Sequence, residues 1–278
     1  MSEGDRDGDF ELITLRSGFR AVRHVGNGEV MHPSVGPWNE ALALYVGQSK
    51  LPERLSREGQ PLLLLDVGLG AATNAVAALT SAAEVTGRKR ALHVVSFEID
   101  LAPLRLALAD PEGFPFLVPF ADACRALIEK GRWERDGLSW TLLMGDALEG
   151  LKQAPRPAEL VFFDPFSPES NPAMWTSKAF QALHASCTSE GEGTLVTTYS
   201  ASTRTRASML LGGFFVGVGA AVGTKKETTV AATRKDQLAA PLDARWLERW
   251  RRSTARAPHG EELTAEMAAQ IEAHPQFR

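Results

Sequence analysis

Cysteine is scarce in this chain. Its 278 residues hold only Cys124 and Cys187, which lie too far apart for a metal spacing and are too few for a disulfide framework. Both are expected as buried apolar residues. The six histidines fall into no ligand pattern such as H-x-x-x-H beside an acid, so no metal is expected. Excess positive charge is missing too. With 30 Lys and Arg against 34 Asp and Glu, the formal charge is -4, which excludes a global pull toward nucleic acid but not a local RNA-binding patch. The softest stretch, 209–223, is shorter than the ~20 residues a membrane-spanning helix needs and is rich in glycine. The N-terminus is acidic and glycine-rich rather than basic and then apolar, unlike a signal peptide. These absences give the expectation of a cytoplasmic protein with no membrane partner.

The strands and helices are more informative. Phe10–Leu15 and Phe19–His24 read as strands around a Ser17-Gly18 turn, with a third short strand at Glu29–Met31. Pro37 opens a helix to about Gly47. From Pro61 the pattern changes: Leu62-Leu63-Leu64-Leu65 is a continuous apolar run, as in a parallel strand buried on both faces. Further strands are expected at 92–97, 140–144, 160–163, 193–198, 214–218 and 227–233, alternating with helices. The stretch 111–136 should carry an amphipathic helix around Phe120–Lys130, and Pro172–Cys187 a single helix. This is an α/β fold. Its expected units are a disordered tail over 1–9, a β/helix lead-in over 10–60, a main domain over 61–235 and C-terminal helices over 236–278.

In an open α/β sheet, ligands bind beyond the carboxyl ends of the strands. Four strands here end in an acid. The first runs into Asp66-Val67-Gly68-Leu69-Gly70, whose glycines let the backbone turn sharply and approach a ligand. The second ends in Glu98, placed to accept from ribose hydroxyls, as in a dinucleotide site. The third ends in Gly145-Asp146, where a carboxylate can meet an adenine amino group and glycine leaves room for the flat ring; Asp146 is equally an N-cap for the helix that follows. The fourth ends in Asp164. Together these acids point to S-adenosylmethionine more than to a nicotinamide cofactor, since a dehydrogenase leaves Gly145-Asp146 and the Asp164 loop without a role.

The segment Asp164-Pro165-Phe166-Ser167-Pro168-Glu169-Ser170-Asn171-Pro172-Ala173-Met174-Trp175 is the candidate reaction site. Its prolines stiffen a strand-to-helix connection, and Asn171 is placed to cap the helix that Pro172 opens. Methyl transfer to an amine needs an exposed lone pair, and a carboxylate can take the ammonium proton or align the neutral amine. Asp164 fits that role. Phe166 and Trp175 are candidates to wall the pocket or stack on a base, with Trp175 in the core as the competing reading.

Residues 164–175 resemble the D-G-F-A-P-x-x-N-P-x-M-W segment of the MnmC-type tRNA methyltransferase family. Gly68-Leu69-Gly70-Ala71-Ala72-Thr73-Asn74 is similar to that family's G-F-G-T-G-L-N loop, Val95-Ser96-Phe97-Glu98 to its V-S-V-E, and Gly145-Asp146 to its G-D. Trp38-Asn39-Glu40 with Tyr45-Val46 resembles its E-T-R-Y-V-F stretch, and Lys225-Lys226-Glu227 its K-R-E. The resemblance spans roughly 10–235. It implies a Rossmann-like class I methyltransferase with a seven-stranded, mostly parallel sheet and an antiparallel last strand. It also implies S-adenosyl-L-methionine as cofactor and methylation of an aminomethyl group on a tRNA wobble uridine. Asp164 would be the catalytic carboxylate. Asp66, Gly68, Gly70, Asn74, Glu98, Gly145 and Asp146 would line the cofactor, and Glu40 would close over it. The chain departs from the family pattern at Ala72 and Pro165, where many members have glycine. It resembles the methyltransferase half without the flavin oxidase, so a separate enzyme would supply the amine.

Arg204 and Arg206, just after the fifth strand, are the expected RNA contacts, with Phe166, Asn171 and Trp175 on the substrate. Farther along, 242–256 interleaves Trp246 and Trp250 with Arg245, Arg249, Arg251, Arg252 and Arg256. That pattern suits a helix docking its tryptophans on the core with solvated arginines, or an RNA grip. Two rival functions remain on sequence grounds: an aminopropyltransferase-like enzyme acting on a polyamine, and a degenerate cofactor-binding interaction module. Oligomeric state is not legible.

Overall fold

The computed structural model describes residues 6–31, 36–223 and 225–278. A small antiparallel sheet leads, with β1 (Arg6–Asp7), β2 (Phe10–Thr14) and β3 (Arg20–His24) in that order. The tail expected to be disordered over 1–9 thus contributes Arg6 and Asp7 to a strand paired with Glu11 and Phe10; residues 1–5 lie outside the described residues. The third strand expected at Glu29–Met31 is reduced to one bridge between Val30 and Arg23. Helix α1 (Pro37–Glu40) widens into a π-helical stretch over Ala41–Gly47, and α2 (Leu51–Leu55) follows.

The main sheet is built from β4 (Leu62–Val67), β5 (Leu92–Glu98), β6 (Arg132–Arg135), β7 (Leu138–Met144), β8 (Leu160–Phe163), β9 (Leu195–Thr198), β10 (Phe215–Gly219) and β11 (Thr228–Ala232). Their order is β10-β11-β9-β8-β4-β5-β7-β6. Every residue of β4 and β8 is buried, as continuous apolar runs between two helical layers require. The helices are α3 (Thr73–Glu84), α4 (Ala102–Ala109), α5 (Ala121–Lys130), α6 (Ala147–Leu151), α7 (Ser177–Ala185), α8 (Thr203–Leu211), α9 (Ala244–Arg252) and α10 (Ala265–Glu272). Two apolar clusters form, one on each face of the sheet. The antiparallel last strand β11 lies between β9 and β10, as expected for the class I methyltransferase fold.

The count of seven strands is corrected to eight. β6 folds back on β7 through Asp136-Gly137, both at positive φ (51° and 71°), a two-residue hairpin turn that Asp-Gly favours. The single helix expected over Pro172–Cys187 is also divided. A 3₁₀ turn, Pro172–Trp175, stops at the extended Thr176, whose hydroxyl accepts from the Ala179 amide and caps α7. Asn171 makes no side-chain cap bond. Cys124 is buried and Cys187 partly so, and burial pushes both thiols up to about 12.

Candidate active site

The chain order β4, β5, β7 runs to one side of β4 and β8, β9 to the other, so the sheet reverses between β4 and β8. That switch point is where an open α/β sheet binds its ligand. Gly68 and Asp164 meet there. Gly68 has φ +90°, and a Cβ built on it would fall 2.5 Å from the Asp164 carbonyl oxygen. Only glycine leaves room for the loop after β8 to lie on the loop after β4. Asn74, in the first turn of α3, donates its Nδ2 to Asp164 Oδ2 at 2.7 Å. Asn74 is therefore spent on the carboxylate, although its buried Oδ1 has no partner among the described residues.

Glu98 knits the next strand ends together. Its Oε2 accepts from the Gly70 amide at 2.8 Å and its Oε1 from the amides of Ile99 (2.8 Å) and Asp100 (3.3 Å), while its carbonyl accepts from Gly145 at 2.8 Å. Burial raises its pKa despite these bonds. Gly145 has φ +118° with nothing close to where a side chain would stand. Asp146 caps α6, its Oδ1 accepting from Leu148 and Glu149, and is exposed; the capping role anticipated for it is real. Beside these groups stand Ile99 (69 % exposed) and Met144 (54 %), large apolar side chains left in the open. Met144 is the register partner of Glu98. Apolar walls around an open glycine and a carboxylate suit a flat, polar-edged ring on a ribose.

Asp66 sits elsewhere. It is fully buried and accepts from Ser96 Oγ at 2.7 Å; Ser96 Oγ in turn accepts from Trp140 Nε1. The acid expected to line the cofactor thus joins β4 to β5 inside the sheet. Ala72 takes the left-handed backbone that favours glycine (φ 63°).

On the Asp164 side the structure gathers groups that sequence reasoning did not assign. The chain has only two tyrosines, and both feel the Asp164 carboxylate. Burial, then Asp164, pushes the Tyr45 phenol far above its ordinary range, and the same two causes raise Tyr199. Tyr45 is fully buried, and its hydroxyl interacts with the Asp164 carboxylate. Lys225 Nζ lies 4.2 Å from the Tyr199 ring centroid and donates to the Tyr199 carbonyl at 3.0 Å. Burial lowers its pKa, against the pull of Glu40 and Asp164. The Glu40 carboxylate, expected to close over the cofactor, adds its charge to that of Asp164 at Tyr45, Tyr199 and Lys225. Tyr199 was legible by position, since it follows the carboxyl end of β9. Tyr45 and Lys225 lie in quoted motifs but far away in sequence.

The substrate-side expectations divide. Phe166 is partly buried between Phe10 (6.4 Å, stacked) and His24 (6.0 Å, edge-on). Glu29 holds the same loop by accepting from Ser167 N (2.8 Å) and Oγ (3.1 Å), and Asn27 donates to Ser170. Trp175 is corrected. It is wholly buried, bonds Phe166 O through Nε1, and packs on Phe163, Tyr199 and His259, so no base can stack on it. Arg206 is corrected as well. It is 4 % exposed and tied to Glu227 (3.0 Å), Thr229 Oγ1 and Thr228 O (3.1 Å each), a structural ion pair. Arg204 is partly exposed near His259, and Asn171 is partly exposed at the loop end.

Residues 122–234 match a family described as S-adenosyl-L-methionine-dependent methyltransferase. The chain is an S-adenosyl-L-methionine-dependent methyltransferase. It is similar to the "tRNA 5-methylaminomethyl-2-thiouridine biosynthesis bifunctional protein MnmC" of Methylibium petroleiphilum, at 28 % identity over 79 % of this chain and 34 % of that protein. The same protein of Ectopseudomonas mendocina is 27 % identical over 80 % of this chain and 34 % of its own length. The chain thus spans about a third of these curated relatives. The crystal structure of MnmC2 from Aquifex aeolicus superposes with a TM-score of 0.71 at 25 % identity, covering 98 % of this chain and 86 % of that one. No helix among the described residues is long and apolar enough to cross a membrane. Among those residues, no group of three or more His, Cys, Asp or Glu is arranged to hold a metal.

Proposed function

We propose that this methyltransferase acts on the primary amine of an aminomethyl group carried by a tRNA wobble uridine, with Asp164 as the proton acceptor. The observation that carries the reading is the seat of Asp164: backed on Gly68, held by Asn74 and flanked by both tyrosines. The cofactor supplies an electrophilic methyl on sulfur. Glu98 would hold its ribose, Gly145 and Asp146 its adenine between Ile99 and Met144, and Gly68 and Gly70 its amino-acid end. The open space at Gly145 and the exposed apolar pair fit such a group.

The protein's own contribution is orientation and proton handling. An amine at neutral pH is protonated and has no lone pair to attack with. Asp164 accepts that proton and keeps the nitrogen in line. Tyr45 and Tyr199 cannot take this part, because their raised pKa values keep them as phenols. The carboxylates of Glu29, Glu40 and Glu169, all felt at Tyr199, give the pocket a negative field that attracts an ammonium. The amine itself would come from a separate reaction. Transfer of labelled methyl to tRNA bearing 5-aminomethyluridine tests the reading. Asp164→Asn should keep cofactor affinity and lose roughly 10²–10⁴-fold in kcat. Cofactor binding without transfer by the unaltered protein sinks it, and aminopropyl transfer to putrescine would replace it with the polyamine reading.

A further inference from the structure

A second concavity lies beside the reaction pocket. It measures about 240 Å³, and its lining includes Ala201, Thr203, Arg206, Glu227, Arg249 and Trp250. It is below the ~300–1,000 Å³ of pockets that enclose whole drug-sized ligands, so it takes one compact group. Two chain segments connect it to the reaction pocket. Lys225 lies over the Tyr199 ring at 4.2 Å and both feel the Asp164 charge, while Ala201 and Glu227, each two residues onward, line the cleft. Two residues of chain span at most about 7 Å, so the cleft opens next to the place where the substrate amine reacts.

Its charge is unbalanced. Arg206 and Arg249 face it with one carboxylate, Glu227, which Arg206 already holds at 3.0 Å. Arg249 is exposed and pairs with no carboxylate among the described residues. It is the middle of a row on α9, Arg245, Arg249 and Arg252, whose spacing of four and three places them on one face. All three are exposed, and none pairs with a carboxylate among the described residues. By contrast, Arg251 is held by Glu248 and Glu272. Trp246 and Trp250 dock α9 on the core at 5 % and 2 % exposure, which makes the row rigid.

We infer that this cleft is a phosphodiester subsite, in which Arg249 binds a backbone phosphate next to the nucleotide whose base enters the reaction pocket, with Arg245 and Arg252 continuing the track. The inference rests on the RNA reading above. A base taken out of its stack into a pocket leaves its flanking phosphates at the rim, and arginine matches phosphate through paired N–H donors. The test is binding of aminomethyluridine-bearing tRNA by Arg249→Glu across a salt series, beside methyl transfer to the free aminomethyluridine nucleoside, which has no phosphate. The expected result is a loss of tRNA affinity of about tenfold or more and a log Kd–log salt slope reduced by about 1, with nucleoside turnover at the level of the unaltered protein. Arg249→Lys should recover part of the affinity. Unchanged tRNA affinity and slope overturn the subsite, and so does equal damage to nucleoside turnover. Failure of the unaltered protein to methylate aminomethyluridine-bearing tRNA while it binds that tRNA through Arg249 would overturn the activity reading and leave the subsite standing.

Discussion

Asn74 Nδ2 stands 2.7 Å from Asp164 Oδ2, joining the first turn of α3, just past the glycine loop, to the loop after β8. A donor on the charged form holds a carboxylate ionised, and a hydrogen bond to a charged group contributes about 1.5–3 kcal/mol. Asn74→Ala should therefore lower kcat by roughly 10–150-fold and move the acid limb of the kcat–pH profile upward. Asn74→Asp should move that limb further, because two adjacent carboxyls share one proton. A fall in kcat with an unmoved pH profile would make Asn74 merely structural.

Gly68→Ala brings a methyl to within 2.5 Å of the Asp164 carbonyl oxygen at φ +90°. The obstructing atom is backbone and cannot rotate away. Overpacking costs typically 1–3 kcal/mol and a left-handed L-residue about 1–2 more. The melting temperature should fall by roughly 5–15 °C, with cofactor affinity and kcat reduced together. Unchanged melting and turnover would show that the two loops do not touch in this way.

Arg206 is buried against Glu227, Thr229 and Thr228. Removing one partner of a buried pair costs about 3–5 kcal/mol; Glu227, with its side chain 42 % exposed, can rehydrate, so the lower end applies. Arg206→Ala should appear in calorimetry as a drop of roughly 6–12 °C. Unaltered melting would refute the structural role.

His274 gives a pH signature. It is 8 % exposed among Phe215 and Phe277, and burial lowers its pKa to about 4. Because the unfolded imidazole titrates near 6.5, the unfolded chain binds more protons between those values. The stability this provides is therefore complete above about pH 6.5 and is lost as pH falls toward 4, by up to about 3 kcal/mol. Chemical denaturation from pH 7 to 4 should show that decline, and it should be shallower in His274→Asn. Equal slopes would assign the acid loss to other groups.

The acids at the strand ends were legible because strand-end position alone brings Glu98, Asp146 and Asp164 to one edge. Position does not say which way a side chain faces. Asp66 turned inward to Ser96, and Trp175 and Arg206 went into the core, where burial outweighed the roles their types suggested. The β6–β7 hairpin was written in Asp136-Gly137, but the neighbouring amphipathic helix claimed that stretch. Thr176 breaks the expected helix because its hydroxyl caps α7 better than Asn171 could begin it. Tyr45 and Lys225 meet Asp164 only through folding, from 119 residues before it and 61 after it.

The missing side chain at Gly68 has a thermodynamic consequence. The loops after β4 and β8 approach so closely at Gly68 that a Cβ there would fall 2.5 Å from the Asp164 carbonyl oxygen, a backbone atom that cannot rotate away. A ligand that changes the free energy of one changes that of the other, and the coupling is reciprocal. Whatever factor the amine imposes on cofactor affinity, the cofactor should impose on amine affinity.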